Sequence, residues 1–290
     1  IKTLLIGGSK LSDKKELKIS NKSDKPDNIV LRDHLLIEKA IKYEKRLPSF
    51  MKDYFVYLKG SVAVSTRAAY LEDIIFFCDY IVSESGLTDK DDIKDLTIED
   101  FKNIKSRDIN LFLGDFCPRY YKEREDHTFV YENNNRALAR KKSSLSTLFK
   151  FLYRNEQLPT NITDGFNPIK LPKPQPDAIK RLDIDEVMIM LEAVESGEGL
   201  TDKEKVYWEK TKLRDKAILA LFVTYGLRLN ELRELNISSF NFSRGEFKIY
   251  RKRGKEVLMP INKTCENVVI DYINYERPKS EDLPEDVQDA

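Results

Sequence analysis

The sequence predicts a mainly helical protein with a small antiparallel β-sheet, divided into two domains. Hydrophobic side chains recur every three or four positions over much of residues 45–165, which is the spacing of amphipathic helices. A proline-rich stretch, residues 166–180, then interrupts this pattern. Beyond it, further helical segments flank a short stretch in which apolar and polar side chains alternate, as in a half-buried strand. With 290 residues, 41% of them hydrophobic, the chain is long enough for two packed domains.

The first 44 residues are rich in lysine and aspartate and show weak periodicity. We therefore predict a partly disordered extension with one short helix near Leu31–Tyr43. The helical domain, residues 45–165, follows. Its helices are expected to start near Phe50, at Ser65 as an N-cap, at Thr97 with a capping-box pattern, at Ser106 and at Asn135.

The helix that starts at Asn135 carries two different faces. Its inner stripe is Leu138, Leu145, Leu148, Phe149 and Leu152. Its outer face is predicted to hold Arg136, Arg140, Ser143, Ser144 and Thr147. Cationic and short polar side chains on one helix face suit contact with a phosphate backbone, although an ordinary solvated face has the same composition.

The segment 166–180 contains Pro168, Pro172, Pro174 and Pro176 and predicts a semi-rigid spacer between domains. In the second domain, residues 181–290, Asp183 or Asp185 caps a helix. The expected order after it is a helix over Leu213–Tyr225 ended by Gly226, a helix capped by Asn230, strands over 246–250 and 256–260, and a helix capped by Thr264.

Composition narrows the classes of function. The net charge is only +1, yet residues 136–181 hold ten Lys/Arg against three Asp/Glu, and residues 244–263 hold seven against two. Such basic stretches indicate a polyanion-binding surface or solvated surface. The three scattered cysteines and two histidines favour neither disulfides nor a metal site, and no apolar run is long enough for a membrane span. A reduced, cytoplasmic setting is expected.

Four segments together resemble the tyrosine recombinase superfamily, which includes phage integrases, conjugative-element integrases and Xer-type resolvases. They are the arginine box Gly226–Leu232, the lysine segment Arg253–Pro260, and the helix segments Ser65–Tyr70 and Arg140–Leu145. The resemblance implies an N-terminal core-binding (SAM-like) domain and a catalytic domain that clamp double-stranded DNA. It also implies dimers on each site, tetramers in the synapse, and no cofactor, because a 3′-phosphotyrosyl link conserves the bond energy.

The resemblance assigns roles to three residues of the second domain. Arg228 is expected to stabilise the charge on the phosphate, Lys255 to protonate the leaving 5′-oxygen, and Glu231 to orient the site. Taken alone, an arginine just beyond a helix C-terminus such as Arg228 more often pairs only with a local carboxylate, and the neighbouring Lys252 is the alternative to Lys255. The residues expected to contact DNA are Thr66, Arg67, Tyr70, Arg136, Arg140, Lys141, Lys142, Ser144, Lys173, Arg251 and Arg253.

Other parts of the family pattern are missing from the 290 residues. His34 and His127 both precede Arg228, so neither can belong to a His-x-x-Arg box, and Tyr272 and Tyr275 come too early for the nucleophile. The chain is therefore expected to be a truncated catalytic domain that binds DNA without cleaving it. The alternatives are a naturally short DNA-binding relative or regulator of recombination, and a helical interaction protein unrelated to DNA.

Overall fold

The computed structural model describes residues 27–124, 127–173, 182–251 and 255–283. Predictions for the first 26 residues, for residues 174–180 of the spacer and for Arg253 lie outside these ranges. The chain divides into two compact units, one of residues 32–180 and one that combines residues 1–31 with 181–290. The first unit thus begins earlier than position 45, the predicted start of the helical domain.

The unit of residues 32–180 is predominantly helical. Its helices are α1 (Asp27–Arg46), of which residues 27–31 belong to the other unit, α2 (Lys52–Ser61), α3 (Val64–Ser83), α4 (Ile98–Asn103), α5 (Ser106–Leu111) and α6 (Asn135–Arg154). Helix α1 is longer than the short helix predicted near Leu31–Tyr43. Ala40 of α1 is buried in the core of this unit and Tyr43 packs against it, so part of the expected extension is folded.

Aromatic side chains form the centre of this core. Phe77 on α3 lies with its ring centroid 5.0 Å from that of Phe112 and 6.2 Å from that of Phe149 on α6. Phe101 stacks on Phe149 at 5.8 Å. All four rings are fully buried. Removing any of these rings is expected to cost about 3–5 kcal/mol of stability.

The predicted helix starts are correct to within about two residues, but the predicted cap at Ser65 is wrong. Thr97 caps α4 through a capping box with Asp100, as predicted. Helix α3 begins at Val64, so Ser65 lies inside its first turn. Helix α5 begins at Ser106, as predicted, and the Ser106 hydroxyl donates to the carbonyl of Ile162 at 2.7 Å.

A β-hairpin that the sequence analysis did not anticipate lies between α5 and α6. Strand β1 (Arg119–Arg124) pairs antiparallel with β2 (His127–Glu132). Tyr120 stacks on its cross-strand partner Tyr131 at 5.2 Å and also on Phe116 at 5.9 Å. Most side chains of this hairpin are polar or exposed, so its alternation of apolar residues is weak in the sequence.

The second unit combines helices with a three-stranded sheet. The helices are α7 (Ile184–Ser196), α8 (Asp202–Trp208), α9 (Lys212–Tyr225), α10 (Leu229–Arg233) and α11 (Lys263–Tyr275); the strands are β3 (Phe240–Asn241), β4 (Glu246–Arg251) and β5 (Lys255–Pro260). The sheet is antiparallel in the order β3-β4-β5. Phe247 and Ile249 of β4 are buried in one core with Leu221 of α9 and with Cys265 and Val269 of α11.

The order of predicted elements in this unit is confirmed, while α8 and β3 were not predicted. Asp183, one of the two candidates, occupies the N-cap of α7. Asn230 and Thr264 are not caps. Arg228 is the N-cap of α10, and the Asn262 side chain caps α11 by accepting the N–H of Cys265 at 2.8 Å.

No helix in the described part of the chain combines the length and apolar character that a membrane crossing requires.

Candidate catalytic and nucleic-acid site

The position of Arg228 follows from the way α9 ends. Gly226 adopts a left-handed conformation, with φ of 58°, and closes the helix as predicted. Leu227 is buried and anchors the chain just past this turn. Arg228 follows in extended conformation at the N-cap of α10, with its side chain 76% exposed.

Glu231 fixes Arg228 at two points. The Arg228 backbone N–H donates to Glu231 Oε2 at 2.9 Å, and Arg228 Nη1 donates to Oε1 at 2.8 Å. Glu231 itself is buried. Desolvation opposes ionisation of this carboxyl, but the hydrogen bonds from Arg228 and the charges of Arg228 and Arg251 outweigh it and hold the pKa of Glu231 below its ordinary value.

The β4–β5 hairpin contacts the same carboxylate. Arg251, the last residue of β4, has its Nε 3.9 Å from Glu231 Oε1. Arg251 and Lys255 are Cα partners across the hairpin, at the end where the two strands are joined. Because side chains alternate along a strand, Arg251 lies on the same face of β4 as the buried Phe247 and Ile249.

Lys255 shares that face. Directly paired residues project to the same side of an antiparallel sheet, so Lys255 lies beside Arg251 and on the side that contacts Glu231. One series of contacts and pairings thus links Arg228, Glu231, Arg251 and Lys255. The predicted alternative Lys252 and the predicted DNA contact Arg253 lie outside the described residues.

These four side chains combine three cations with one carboxylate. The carboxylate holds the guanidinium of Arg228 through Nη1, and no residue in the described ranges accepts a hydrogen bond from Nε or Nη2, so this edge is open to a second partner there. A guanidinium with two parallel donors and a nearby ammonium is well suited to bind one phosphate group. Among the described residues, no group of three or more His, Cys, Asp or Glu side chains is placed to hold a metal ion.

The tyrosines near this site have structural partners. The Tyr225 hydroxyl accepts the N–H of Asn262 at 2.8 Å, and its ring packs edge-on against Phe247 at 4.9 Å. Tyr272 packs against the second core, and burial raises the pKa of its hydroxyl. Tyr225 and Tyr272 are therefore packing residues.

A basic groove runs along the exposed face of α6 in the first unit. It consists of two adjoining clefts of about 430 Å³ and about 470 Å³ that share Leu171. The described residues that line it are Asn134, Asn135, Arg136, Ala139, Lys142, Ser143, Ser146, Thr147, Lys150, Ile169, Lys170, Leu171, Pro172 and Lys173. Five of these are basic and none is acidic, so every charged side chain of the lining is positive.

The start of the proline-rich segment forms one wall of this basic groove. Lys142 Nζ donates to the carbonyl of Asn167 at 2.8 Å, and Asn135 Nδ2 donates to the carbonyl of Lys170 at 2.7 Å. These bonds attach the segment to α6. Three predicted DNA contacts, Arg136, Lys142 and Lys173, line the groove.

Three other predicted DNA contacts are buried. Ser144 was placed on the outer face, and this is wrong: it is fully buried, and its hydroxyl donates to the carbonyl of Lys141 at 2.8 Å. Its spacing of four from Leu148 places it on the core side of α6. Lys141 is buried as well, with Nζ 3.2 Å from Asp73. Arg67 is buried because Nε and Nη2 both donate to Glu44.

The remaining predicted contacts on the first unit are more accessible. Thr66 and Tyr70, both on α3, are half-buried, and Tyr70 packs against the core. Arg140 on α6 is exposed and forms an ion pair with Asp73. Sequence reasoning missed Asp73, Glu44, Lys150 and Lys170, because only the packing of α3 and α6 and the position of the proline-rich segment bring them to these sites.

The comparisons with known proteins agree with these features. The model of the phage integrase family matches residues 180–287. Tyrosine recombinase XerC of Syntrophus aciditrophicus (strain SB) is 27% identical over 229 residues, which cover 79% of this chain and 64% of the relative. Tyrosine recombinase XerS of Streptococcus thermophilus (strain CNRZ 1066) is 27% identical over 245 residues, covering 78% and 67%. The chain spans about two thirds of the length of these relatives.

A XerC of Shewanella sp. (strain ANA-3) reaches 33% identity over 121 residues, 42% of this chain and 36% of the relative. Among solved structures, the XerH recombinase bound to difH substrate before cleavage is 15% identical, with a TM-score of 0.47 over 92% of this chain and 74% of that one. The post-cleavage complex with palindromic difH gives 17% identity and a TM-score of 0.46 over 88% and 63%. Residues 180–287 thus match the phage integrase family, and the chain is similar to tyrosine recombinases over most of its length.

Proposed function

We propose that this chain acts in site-specific DNA recombination by binding duplex DNA and by contributing Arg228 and Lys255 to the site that cleaves and rejoins a strand. The observation that carries the proposal is the contact of one buried carboxylate, Glu231, with both Arg228 and Arg251. This contact brings the arginine box and the lysine hairpin, which are separate in the sequence, to one place.

In the proposed reaction, a tyrosine hydroxyl loses its proton to water as its oxygen attacks a backbone phosphorus, and the phosphotyrosyl bond forms while the bond to the 5′-oxygen breaks. Negative charge collects on the non-bridging oxygens in the transition state. The open Nε–Nη2 edge of Arg228 stabilises that charge. Lys255 donates the proton that the departing 5′-oxygen requires. Glu231 orients Arg228 and takes no proton, which agrees with its lowered pKa.

We propose that the basic groove along α6 binds the phosphate backbone of the same duplex. Its five basic side chains and its short polar residues are of the kinds that contact phosphates without reading sequence. The XerH structures are complexes with difH substrate, which supports DNA as the partner by family likeness. Dimers on a site and tetramers in a synapse are proposed on the family resemblance alone.

A second candidate for these 290 residues is DNA binding without cleavage. The observation that favours it is the basic groove along α6, whose five basic side chains can hold a phosphate backbone without taking part in cleavage. In this role the basic groove and the Arg228 site hold DNA, and none of Tyr225, Tyr272 or Tyr275 attacks it.

Two measurements on the chain test these proposals. Binding to a random-sequence duplex is measured between about 50 and 200 mM salt, where phosphate contacts make the affinity fall steeply. Absence of binding at low salt, or affinity that does not change with salt, would refute DNA as the partner. Duplexes selected for tight binding and nicked beside each phosphate are then screened for a covalent adduct, which separates cleavage from binding alone.

A further inference from the structure

We propose that Asp73 is a positioning residue that orients Arg140 for bidentate contact with a DNA phosphate beside the basic groove. The inference rests on the proposed DNA binding and adds to it a residue that makes no contact with DNA itself.

Asp73 is an acid in the middle of a helix that faces the core. It lies on α3, its side chain is only 1% exposed, and it is surrounded by hydrophobic residues of the same helix such as Ile74 and Phe77. A carboxylate in such surroundings is costly unless charged partners satisfy it. Both partners come from α6: Oδ2 accepts from Arg140 Nη1, and Oδ1 accepts from Lys141 Nζ at 3.2 Å.

The two partners differ in what remains available to solvent. Lys141 is buried, and its ammonium lies 4.4 Å from the ring centroid of Phe76, so it is enclosed by Asp73 and an aromatic face. The Arg140 side chain, in contrast, is 45% exposed. The two cations and the single carboxylate together leave one net positive charge. That charge is on Arg140, which reaches the surface.

The hydrogen bonds of Arg140 fix one corner of its guanidinium. Nη1 donates to Asp73 and also to the carbonyl of Ala69 at 3.2 Å. For Arg140, the described part of the chain offers no hydrogen-bond acceptor to Nε or Nη2. The free edge therefore carries two parallel N–H donors, which is the geometry that matches two oxygens of one phosphate.

Arg67 shows the opposite arrangement in the same unit. Its Nε and Nη2 both donate to Glu44, and its side chain is 6% exposed. The edge that binds a phosphate is thus occupied in Arg67 and open in Arg140. Both residues are arginines, so the open Nε–Nη2 edge is what distinguishes Arg140 as the phosphate ligand.

Arg140 is also placed beside the basic groove. Arg136 lines this groove and lies four residues before Arg140, while Ser143 lines it three residues after. Residues three and four apart are neighbours on a helix surface, so Arg140 extends the positive lining of the groove by one contact.

Three variants and a control test the proposal in the 290-residue chain. Asp73→Asn removes the charge that holds Nη1, Arg140→Ala removes the phosphate ligand, and the third variant combines both. Asp79→Asn is the matched control, because Asp79 lies on the same helix and pairs with Arg46 on the surface. Affinity for a random-sequence duplex is measured across a range of salt, and urea unfolding monitors the fold of each variant.

We expect Asp73→Asn to weaken binding about three- to tenfold, because the guanidinium must then be ordered at the moment of binding. Arg140→Ala should weaken it further and reduce the slope of log K against log salt by about 0.9. The double variant should bind like Arg140→Ala alone, and Asp79→Asn like the wild type. Wild-type affinity in Asp73→Asn, or effects that add in the double variant, would refute the positioning role.

Arg140→Lys keeps the test decisive if Asp73→Asn does not fold. A lysine retains the charge and the ion pair with Asp73 but cannot present a two-donor edge, so binding should fall with the salt slope unchanged. Wild-type affinity in Arg140→Lys would overturn the proposal. Wild-type protein that does not bind duplex DNA would instead overturn the proposed function on which this inference rests.

Discussion

Glu231 accepts two hydrogen bonds from Arg228, one from the backbone N–H at 2.9 Å and one from Nη1 at 2.8 Å. The first bond forms the start of α10, and the second orients the side chain. The same carboxylate therefore determines both the local fold and the direction of the guanidinium. Asp73 and Arg140 repeat part of this arrangement in the other unit, where a buried carboxylate again binds Nη1 and leaves the opposite edge open.

Replacing Glu231 with glutamine should destabilise the second unit at neutral pH by about 1–3 kcal/mol, because two charge-assisted hydrogen bonds are weakened. The effect should depend on pH. Folding lowers the pKa of Glu231. The ionised carboxylate therefore stabilises the fold fully above the unfolded pKa of about 4.5, and this stabilisation is lost as the pH falls through the folded pKa. Urea unfolding of the wild type and of the Glu231→Gln variant is measured from pH 7 down to pH 3.5. A difference in unfolding free energy between the two that grows on acidification would contradict this prediction.

Replacing Arg228 with alanine should leave duplex affinity largely unchanged, because the basic groove supplies most of the phosphate contacts. Strand cleavage, where it is measured, should fall by at least about 10²-fold, since the donor to the non-bridging oxygens is gone. The comparison is between equilibrium binding and covalent adduct formation on the same DNA. A tenfold loss of affinity with normal cleavage would show that Arg228 is a binding residue.

Charge reversal in the basic groove should weaken DNA binding in a salt-dependent way. Arg136→Glu combined with Lys173→Glu removes two cations from the lining and should reduce the salt slope by about two. Lys102→Glu is the control, because Lys102 is an exposed lysine on α4 that pairs only with Glu99 among the described residues. If the control and the double variant lose the same affinity, the groove is not the interface.

Two glycines after α7 give a matched test of packing in the second unit. Both have positive φ, 68° for Gly197 and 80° for Gly199. A Cβ at Gly197 would lie 3.1 Å from the indole of Trp208, whereas a Cβ at Gly199 would meet open space. Gly197→Ala should therefore lower stability more than Gly199→Ala, by about 1 kcal/mol beyond the shared backbone strain. Trp208 is the single tryptophan, so its fluorescence during urea unfolding reports both variants, and equal losses would contradict the packing.

Much of the fold could be predicted from the sequence because its signals are local. Helices α3 and α6 carry apolar stripes, α9 is strongly apolar over its length, and Gly226 ends α9 where expected. The caps were less predictable, since several polar residues compete at each helix start. The N-cap of α11 is Asn262 and not Thr264, and the N-cap of α10 is Arg228 and not Asn230. The hydrogen bonds that decide between these residues depend on the geometry of the preceding turn.

The residues of the candidate site also divide into those that local sequence motifs reveal and those that only the packing reveals. Arg228, Glu231 and Lys255 follow from short motifs, so the sequence suffices to propose them. Whether Arg67, Lys141 and Ser144 are buried depends on the contact of α6 with α3. It also depends on Glu44 and Asp73, the ion-pair partners, which lie 23 or more positions away in the chain. A helical face in isolation does not reveal whether a cation points to solvent or to a buried carboxylate. The β1–β2 hairpin was missed for a related reason, because its aromatic pairs form only after the strands associate.

A structure of the chain bound to a duplex selected for tight binding is the most direct test of the central claim. We predict that the Nε–Nη2 edge of Arg228 and the ammonium of Lys255 both lie within hydrogen-bond distance of the same backbone phosphate, with Glu231 still bonded to Arg228. Side chains that contact different phosphates, or a Lys255 that turns away from the DNA, would contradict the proposed site.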